Sequence, residues 1–284
     1  MRKKGGDMKR VLVFGDCHCG HAVGLTSPRY QWAAKRDGRG KDLTKHGKFA
    51  AIQAECWFAY QKVLRELEPI DRAIFMGDAI DGRGERSGGT ELITTDREEQ
   101  CNMAVAVCDE IRLHAAKGYR VRGVRGTDYH VAGGGEDWEN IVAERAGFES
   151  IGAHDWPRVE GVTFDAKHHL GSSAVPHGRA TATLRDMLWN ELWAVQEHQP
   201  RADVLLRAHV HFAQGVWQPD MSGHDRWGFT VPALQALGSR YGALRCSGTV
   251  HWGLMHFDCD KGRVVDWGAH IMPIRAQQKG ATAF

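Results

Sequence analysis

The apolar residues of the chain recur at two spacings, which predict helices that alternate with short strands. Helical spacing marks four segments, at about 49–67, 98–116, 136–146 and 181–198. Between them lie short apolar runs that end in Gly, Asp or His, at 10–14, 72–76, 119–124, 162–166 and 202–207. Strands that alternate with helices in this way predict a largely parallel sheet with helices on its faces.

After His211 the pattern changes to short strand-like pieces, at 227–231, 249–257 and 263–270. These pieces predict an antiparallel, β-rich C-terminal part. We expect one α/β domain over residues 8–275, with an insertion loop at about 23–48 and flexible tails at 1–7 and 276–284. The fourth helix carries Leu184, Leu188, Leu192 and Val195 at helical spacing, and the helix tryptophans Trp57, Trp189 and Trp193 are expected in the core.

The composition is that of an ordinary globular protein. The 284 residues are 42% hydrophobic and 25% charged, which excludes a disordered or collagen-like chain. Apolar runs stay far below the roughly 20 residues of a membrane span, so we expect no membrane association and a cytoplasmic location. The net charge of +2 gives no bulk attraction for nucleic acid, and the seven scattered cysteines favour reduced thiols. The 16 histidines and 34 glycines, concentrated beside aspartates, point to a metal site.

Each of the five predicted strands is followed within four residues by aspartate or histidine. The first three lead into Asp16-Cys17-His18, Asp78-Ala79-Ile80-Asp81 and Thr127-Asp128-Tyr129-His130, and the last two into His168-His169 and His209-Val210-His211. Ligands of open α/β sheets bind beyond the carboxyl ends of the strands. We therefore expect all five loops to meet at one rim of one sheet.

This set of side chains suits a centre of two metal ions. An Asp-x-His pair offers oxygen and nitrogen to one cation, the carboxylate of Asp78 can bridge two cations, and a His-x-His pair can give one imidazole to each. Mixed imidazole and carboxylate ligands favour Mn, Fe, Zn or Co over Ca. Two cations about 3.5–4 Å apart can hold a phosphoryl oxygen and lower the pKa of a bridging water, which becomes the nucleophile.

These motifs, in this order over residues 10–212, resemble the calcineurin-like metallophosphoesterases. The resemblance implies a four-layer αββα sandwich with mixed sheets, a dinuclear metal site and hydrolysis of phosphoesters. It also implies a ligand set for each metal, with Asp16, His18, Asp78 and His211 on the first. The second would be held by Asp78, by His209 and by either His168 or His169. Because adjacent strand residues point to opposite faces, only one of the two histidines should bind, and His168 is preferred.

The third motif departs from the family pattern, in which Gly-Asn-His precedes an acidic residue. Thr127 stands at the Asn position and Asp128 at the His position, while a histidine follows as His130. The variant resembles phage and prophage members of the family. Thr127 or Asp128 would then complete the second metal site, and His130 and Asp128 are the candidate catalytic residues, with His130 as general acid. Arg179 is the candidate phosphate clamp.

The sequence therefore predicts a phosphoester hydrolase that depends on two divalent metal ions. Manganese is the preferred metal, with Fe, Zn, Co or Ni as alternatives. A phosphodiester in a nucleotide or nucleic acid is the favoured substrate. This preference rests on the phage-like third motif and on the basic segment 29–48, which is either a solvated loop or a nucleic-acid contact with Tyr30 and Trp32 for stacking. The alternatives are a phosphomonoesterase or phosphoprotein phosphatase, and a non-catalytic scaffold with a degenerate second metal site. The sequence predicts no oligomeric state.

Overall fold

The alternation of strands and helices appears in the computed structural model, which describes residues 8–33, 45–133, 136–171, 173, 175–219, 225–237 and 249–277. The helices within these residues are α1 (Lys45–Leu67), α2 (Arg97–Leu113), α3 (Asp128–Val131), α4 (Trp138–Arg145) and α5 (Arg179–Val195). The strands are β1 (Lys9–Phe14), β2 (Ile70–Phe75), β3 (Ala115–Val124), β4 (Ala132–Gly133), β5 (Glu136–Asp137), β6 (Ser150–Gly152), β7 (Arg158–Val159), β8 (Val162–Lys167), β9 (Val204–Arg207), β10 (Gln214–Gln218), β11 (Arg226–Thr230), β12 (Gly253–Asp260) and β13 (Arg263–Ile271).

The strands form two main sheets rather than one. The first sheet has the order β13-β12-β1-β2-β3-β6, and the second has the order β10-β11-β9-β8-β7. The expectation of one rim of one sheet is therefore wrong, because β1, β2 and β3 belong to the first sheet and β8 and β9 to the second. Both sheets are mixed: β12 runs antiparallel to β1, whereas β1, β2 and β3 are parallel.

The C-terminal part is only partly antiparallel. Strands β12 and β13 pair antiparallel, as the sequence predicts, and so do β10 and β11. Strand β11 also pairs with β9, however, and that pairing is parallel. The prediction of a purely antiparallel tail is wrong here because β11 docks on the open edge of the second sheet.

Two apolar clusters define the layers. Between the sheets, side chains of β1, such as Val11 and Val13, meet side chains of β8 and β9, such as Phe164 and Leu206. On the other face of the first sheet, residues of α1, α2 and α4 pack in a second cluster with Leu12 and its neighbours. Helix α5 contacts β10 and β11 on the outer face of the second sheet. The predicted four-layer arrangement of helix, sheet, sheet and helix is confirmed.

Helix boundaries follow local signals. Asp96 caps α2, because its carboxylate accepts a hydrogen bond from the backbone N–H of Glu98 at 2.9 Å. The same helix ends at Leu113, earlier than expected, because Ala115 already pairs with Ile70 in the first sheet. At the expected C-terminal tail, the backbone of Ala276 donates to Glu55, while residues 1–7 and 278–284 lie outside the described residues.

Helix α5 reverses the expected burial. Its buried residues are Thr183, Met187 and Asn190, whereas its apolar stripe and both tryptophans are exposed. The expectation that Trp189 and Trp193 lie in the core is wrong, whereas Trp57 on α1 is buried as expected. The underlying sheet face is polar: Asn190 accepts from Arg226 and donates to Asp165, and Asp186 pairs with Arg207. The polar face of α5 therefore turns inward to satisfy these buried groups.

Candidate metal centre

The loops that follow β1 and β2 continue side by side beyond the sheet. The backbone N–H of Asp16 donates to Gly77, and that of His18 donates to Asp78, at 2.8 and 3.0 Å. The loop after β3 joins them because the N–H of Thr127 donates to the Asp78 carboxylate at 2.6 Å. Polar side chains at the ends of three parallel strands are thereby held within reach of one another.

The second sheet supplies the remaining side chains from the opposite side. His168 follows β8 and His209 follows β9, and the backbone N–H of Ala208 donates to the carbonyl of His168 at 2.9 Å. The N–H of His209 reaches across to the Asp16 carboxylate at 3.3 Å. The five loops meet because the two sheets pack face to face, so the rim is shared between the sheets.

Asp16, His18 and His211 form the first group of potential ligands. Their ligand atoms all lie within 4.8 Å of one another. Nε2 of His18 is 3.3 Å from Nε2 of His211, which is itself 3.3 Å from Oδ1 of Asp16. The Asp81 carboxylate lies 3.0 Å from Nδ1 of His18. Because a carboxylate accepts, Nδ1 carries the proton and the lone pair of Nε2 faces His211, an arrangement typical of metal-bound histidine.

Asp78, His168 and His209 form the second group, again within 4.8 Å. Nε2 of His168 lies 3.2 Å from Oδ2 of Asp78. Nδ1 of His168 lies 2.6 Å from the backbone carbonyl of Met76, so Nδ1 must be the donor. Both His18 and His168 are thus held by Nδ1 with Nε2 directed into the centre.

Asp78 connects the two groups. Its Oδ2 lies 3.2 Å from Nε2 of His168 and 3.8 Å from Nε2 of His18. A single carboxylate therefore faces ligand nitrogens of both groups, which is the position a bridging ligand requires.

Thr127 lies in the middle of the second group. Its hydroxyl oxygen is 3.3 Å from Oδ2 of Asp78, 3.3 Å from Nε2 of His168 and 3.2 Å from Nδ1 of His209. The hydroxyl of Thr127, at the unusual position of the third motif, therefore lies among the three ligand atoms of the second group.

The backbone at the centre is strained. Eight non-glycine residues in the described part of the chain have positive φ, and five of them are Asp16, His18, Asp78, His209 and His211. Left-handed backbone costs on the order of 1–3 kcal/mol at such residues and clusters at functional sites. The surrounding hydrogen bonds hold these five side chains in one geometry at the expense of local stability.

The charges at the centre depend on one another. Burial would raise the pKa of Asp78, but the adjacent His168 holds it well below its usual value. Burial opposes charge on His168, yet Asp78 raises its pKa to about 10. Burial and the nearby His168 lower the pKa of His209 to about 4, so this imidazole is neutral near pH 7. A cation at the second group would replace the proton on His168 and meet a neutral His209, as metal binding requires.

The donor set fits transition-metal cations. Oδ1 of Asp16 is fully buried without a hydrogen bond, although His211 is nearby. Such an orphaned carboxylate oxygen is costly unless a cation or another partner meets it. Imidazole nitrogens and carboxylate oxygens together favour Mn, Fe, Co, Ni or Zn. Asp16, His18 and His211 would hold one cation, His168 and His209 the other, and Asp78 would face both.

The remaining predicted site residues lie around this centre. His169 is exposed, with its ring 4.8 Å from that of His209, while His168 is buried among the ligand atoms. Asp128 is exposed at the start of α3 and belongs to neither group. Arg179 begins α5, with its guanidinium 4.8 Å above the ring of Phe212, next to His211. The catalytic role of Asp128 and the phosphate contact of Arg179 remain predictions.

His130 lies at the edge of the first group. Its ring meets that of His18 edge to face at 4.7 Å, and its Nδ1 is 2.9 Å from the backbone carbonyl of Asp81. Nδ1 must therefore donate, which leaves Nε2 available to hold or release a proton. The structure brings His130 beside the centre but outside the two groups that Asp78 connects.

Glu139 was not singled out by the sequence. This fully buried carboxylate on α4 accepts from the N–H of Ala79 at 2.9 Å and from the N–H of Gly126 at 2.5 Å. It thereby ties the loop after β2 to the loop after β3. Burial, reinforced by the charge of Asp78, raises the pKa of Glu139 to about 8. A glutamate within a helix gives no motif, so only its burial in the fold reveals this contact.

No protein-family model matches the chain, and no curated protein matches its sequence. Solved structures do show likeness. Vps29 from Entamoeba histolytica, complexed with zinc, is 12% identical over 92% of this chain and 99% of its own, with a TM-score of 0.39. A novel archaeal phosphodiesterase is 10% identical over 93% and 99%, with a TM-score of 0.41. A metallophosphoesterase from Sphaerobacter thermophilus is 12% identical over 95% and 90%, with a TM-score of 0.38. Likeness at this level does not assign a family or an activity.

Among the residues that the structure describes, none of the helices combines the length and the apolar character needed to cross a membrane.

Proposed function

We propose that the chain is a metal-dependent phosphoester hydrolase with a centre of two divalent cations. The observation that carries this proposal is the position of Asp78, whose Oδ2 faces ligand nitrogens of both groups at 3.2 and 3.8 Å. The orphaned Oδ1 of Asp16 and the two histidines held by Nδ1 support it. The resemblance of the motifs to calcineurin-like metallophosphoesterases agrees with this assignment.

Two bound cations would supply Lewis-acid polarisation of a phosphoryl oxygen and a water of lowered pKa. The chain's own residues prepare that chemistry. Asp81 and the carbonyl of Met76 fix the tautomers of His18 and His168. Asp78 and Asp16 supply the negative charge that concentrates cations at the rim. Glu139 holds the loops of Asp78 and Thr127 together, so the ligands are arranged before substrate arrives.

His130 is proposed to serve the leaving group. Its Nδ1 is anchored on the carbonyl of Asp81, and its ring lies against His18 at the edge of the first group. Nε2 can therefore hold a proton beside the bound ester and give it to the departing oxygen, a contribution of about 10²–10⁴-fold in rate.

The finer proposal is that the ester is a phosphodiester of a nucleotide or nucleic acid. It rests on the basic segment at 29–48, in which the residues from 34 to 44 lie outside the described part. In the described part, Arg29 is exposed, but the ring of Trp32 packs edge to face on Phe49 at 5.9 Å. Stacking of a base on Trp32 would require that contact to open, so the attraction is assigned to the charge of the segment.

The proposal is tested with one panel of esters. Purified protein is stripped with chelator, restored with Mn, Fe, Co, Ni or Zn, and assayed on bis(p-nitrophenyl) phosphate and p-nitrophenyl phosphate. Asp16→Asn protein, purified in the same way, controls for contaminating phosphatases. We expect metal-dependent hydrolysis that the variant lacks, with the diester preferred.

Each outcome of the panel decides a different part of the proposal. Preference for the monoester would replace the diester assignment with a phosphomonoesterase or phosphoprotein phosphatase. Absence of hydrolysis with every metal, in protein that binds two cations, would favour the non-catalytic scaffold. Equal activity before and after complete stripping would contradict the metal-dependent reaction itself.

A further inference from the structure

The outer half of α5 is apolar and exposed to solvent. Its large apolar residues are 41–78% exposed, namely Leu184, Leu188, Trp189, Leu192, Trp193 and Val195. We call these six residues the α5 patch. At 100° per residue they cover about half of the helix surface, and Arg185 is the charged residue between them. A helix face of this composition is ordinarily buried against another surface.

The α5 patch is not required to fill the core of its own molecule. The inward side of α5 is already occupied, because Thr183, Met187 and Asn190 are buried and Asn190 is hydrogen-bonded to Asp165 and Arg226. The two tryptophans stack on each other, with ring centroids 5.4 Å apart and planes 25° from parallel. The patch is therefore a surface of the folded chain rather than a displaced part of the core.

The size of the patch meets the requirement of a specific interface. Aromatic side chains carry on the order of 150–250 Å² each and leucine and valine rather less, so the exposed fractions amount to roughly 500–600 Å² of apolar surface. A two-fold axis through the patch would bury it on both copies, roughly 1,100 Å² in all. That total exceeds the about 1,000 Å² expected of a biological interface.

The order of residues along α5 is complementary to itself. In an antiparallel pair of helices centred on Glu191, Trp189 meets Trp193 of the second copy. The same symmetry brings Arg185, the cation of the outer face, to Glu197 of the second copy, which is exposed just beyond the helix C-terminus. The carbonyl end of that helix also attracts a cation. Charge and apolar surface therefore match in one arrangement.

We propose that a second copy of this chain covers the α5 patch, in a two-fold symmetric dimer with antiparallel α5 helices. In a two-fold interface each contact occurs twice, so two tryptophan pairs and two Arg185–Glu197 pairs form around the axis. The dimer places the interface on the outer layer of the second sheet and does not depend on the proposed phosphoesterase activity.

The test is sedimentation equilibrium of the full chain over a wide range of concentrations. The wild type should be a dimer. Leu188→Glu should raise the dimer dissociation constant by at least about 100-fold, because a glutamate from each copy would lose water against apolar partners. The matched control is Leu113→Glu on α2, where the side chain is 75% exposed outside the patch, and its dimer should be unchanged. Circular dichroism confirms that each variant is folded.

Charge reversal tests the register. Arg185→Glu and Glu197→Arg should each raise the dissociation constant by roughly fivefold, and the double variant should return it close to the wild-type value. A wild type that is monomeric at every concentration would overturn the proposal. A dimer that survives Leu188→Glu, or one that the double reversal fails to restore, would overturn it as well.

Discussion

Replacing Asp78 by asparagine tests the bridging position with little change of shape. The side-chain amide keeps one oxygen, which can still accept the N–H of Thr127 now bound to the carboxylate at 2.6 Å. The second oxygen, which lies 3.2 Å from His168 and 3.8 Å from His18, becomes an NH₂ group. An NH₂ group has no free lone pair for a cation, so one substitution removes a ligand atom from both groups.

The size of the effect follows from the charge that the substitution removes. A pair of unit charges about 4 Å apart interacts by about 4 kcal/mol at an effective dielectric constant near 20. Each of two cations would lose an attraction of at least this order. Because 1.4 kcal/mol corresponds to a factor of ten, we expect metal affinity to fall by about 1,000-fold or more. Hydrolysis at limiting metal should fall by a similar factor.

The assay is metal titration by isothermal calorimetry together with the hydrolysis rate of an aryl phosphoester. Asp165→Asn is the matched control, because this carboxylate is equally buried at 1% exposed but pairs with Arg207 on the second sheet. The control should lose about 3–5 kcal/mol of unfolding free energy and keep its metals. Asp78→Asn protein with two tightly bound cations and a near-normal rate would refute the bridging role.

Three further predictions concern the surroundings of the centre. His130→Ala should slow hydrolysis of an alkyl ester by about 10²–10⁴-fold and that of a nitrophenyl ester much less, with metal content unchanged; equal losses on both esters together with a lost metal would instead make His130 a ligand. In metal-stripped protein, Glu139 has a folded-state pKa of about 8, above its ordinary value of 4.5. Its contribution to stability is therefore complete below pH 4.5 and is lost as pH rises towards 8. In urea unfolding, the free energy of unfolding of Glu139→Gln should rise relative to that of the wild type by about 1.4 kcal/mol per pH unit in this window. Plots of unfolding free energy against pH that run parallel for the two proteins would contradict the shifted pKa. Gly126→Ala should weaken metal binding measured by calorimetry, because a Cβ there would collide with the Asp78 carboxylate; unchanged affinity would show that the loop yields without moving the ligand.

The sequence predicts which residues form the centre better than it predicts how the strands that carry them are paired. Asp16, His18, Asp78, His209 and His211 each follow a predicted strand, and the structure brings all five together. These residues are predictable because the sequence alone shows which residues follow each strand. That a second sheet exists is implied only by the resemblance to a known family, because hydrophobic alternation does not encode which strands pair.

Side-chain environments that depend on residues far away in the sequence are not predictable from the sequence either. The sequence predicts the helical spacing of α5 correctly. Which face of the helix turns inward depends on Asp165, Arg207 and Arg226, which lie on strands far from α5 in the sequence. The role of Glu139 depends likewise on two loops that come together only in the fold.

The central claim is tested most directly by the number of metal ions per chain, measured by plasma mass spectrometry alongside the rate on an aryl phosphoester. One protein sample is measured as isolated, after complete chelation, and after restoration with Mn or Zn and removal of excess metal. We expect two divalent ions per chain in the restored sample, none after chelation, and hydrolysis that rises and falls with them. Full activity in the metal-free sample, or a restored sample that retains no metal, would contradict a two-metal phosphoesterase.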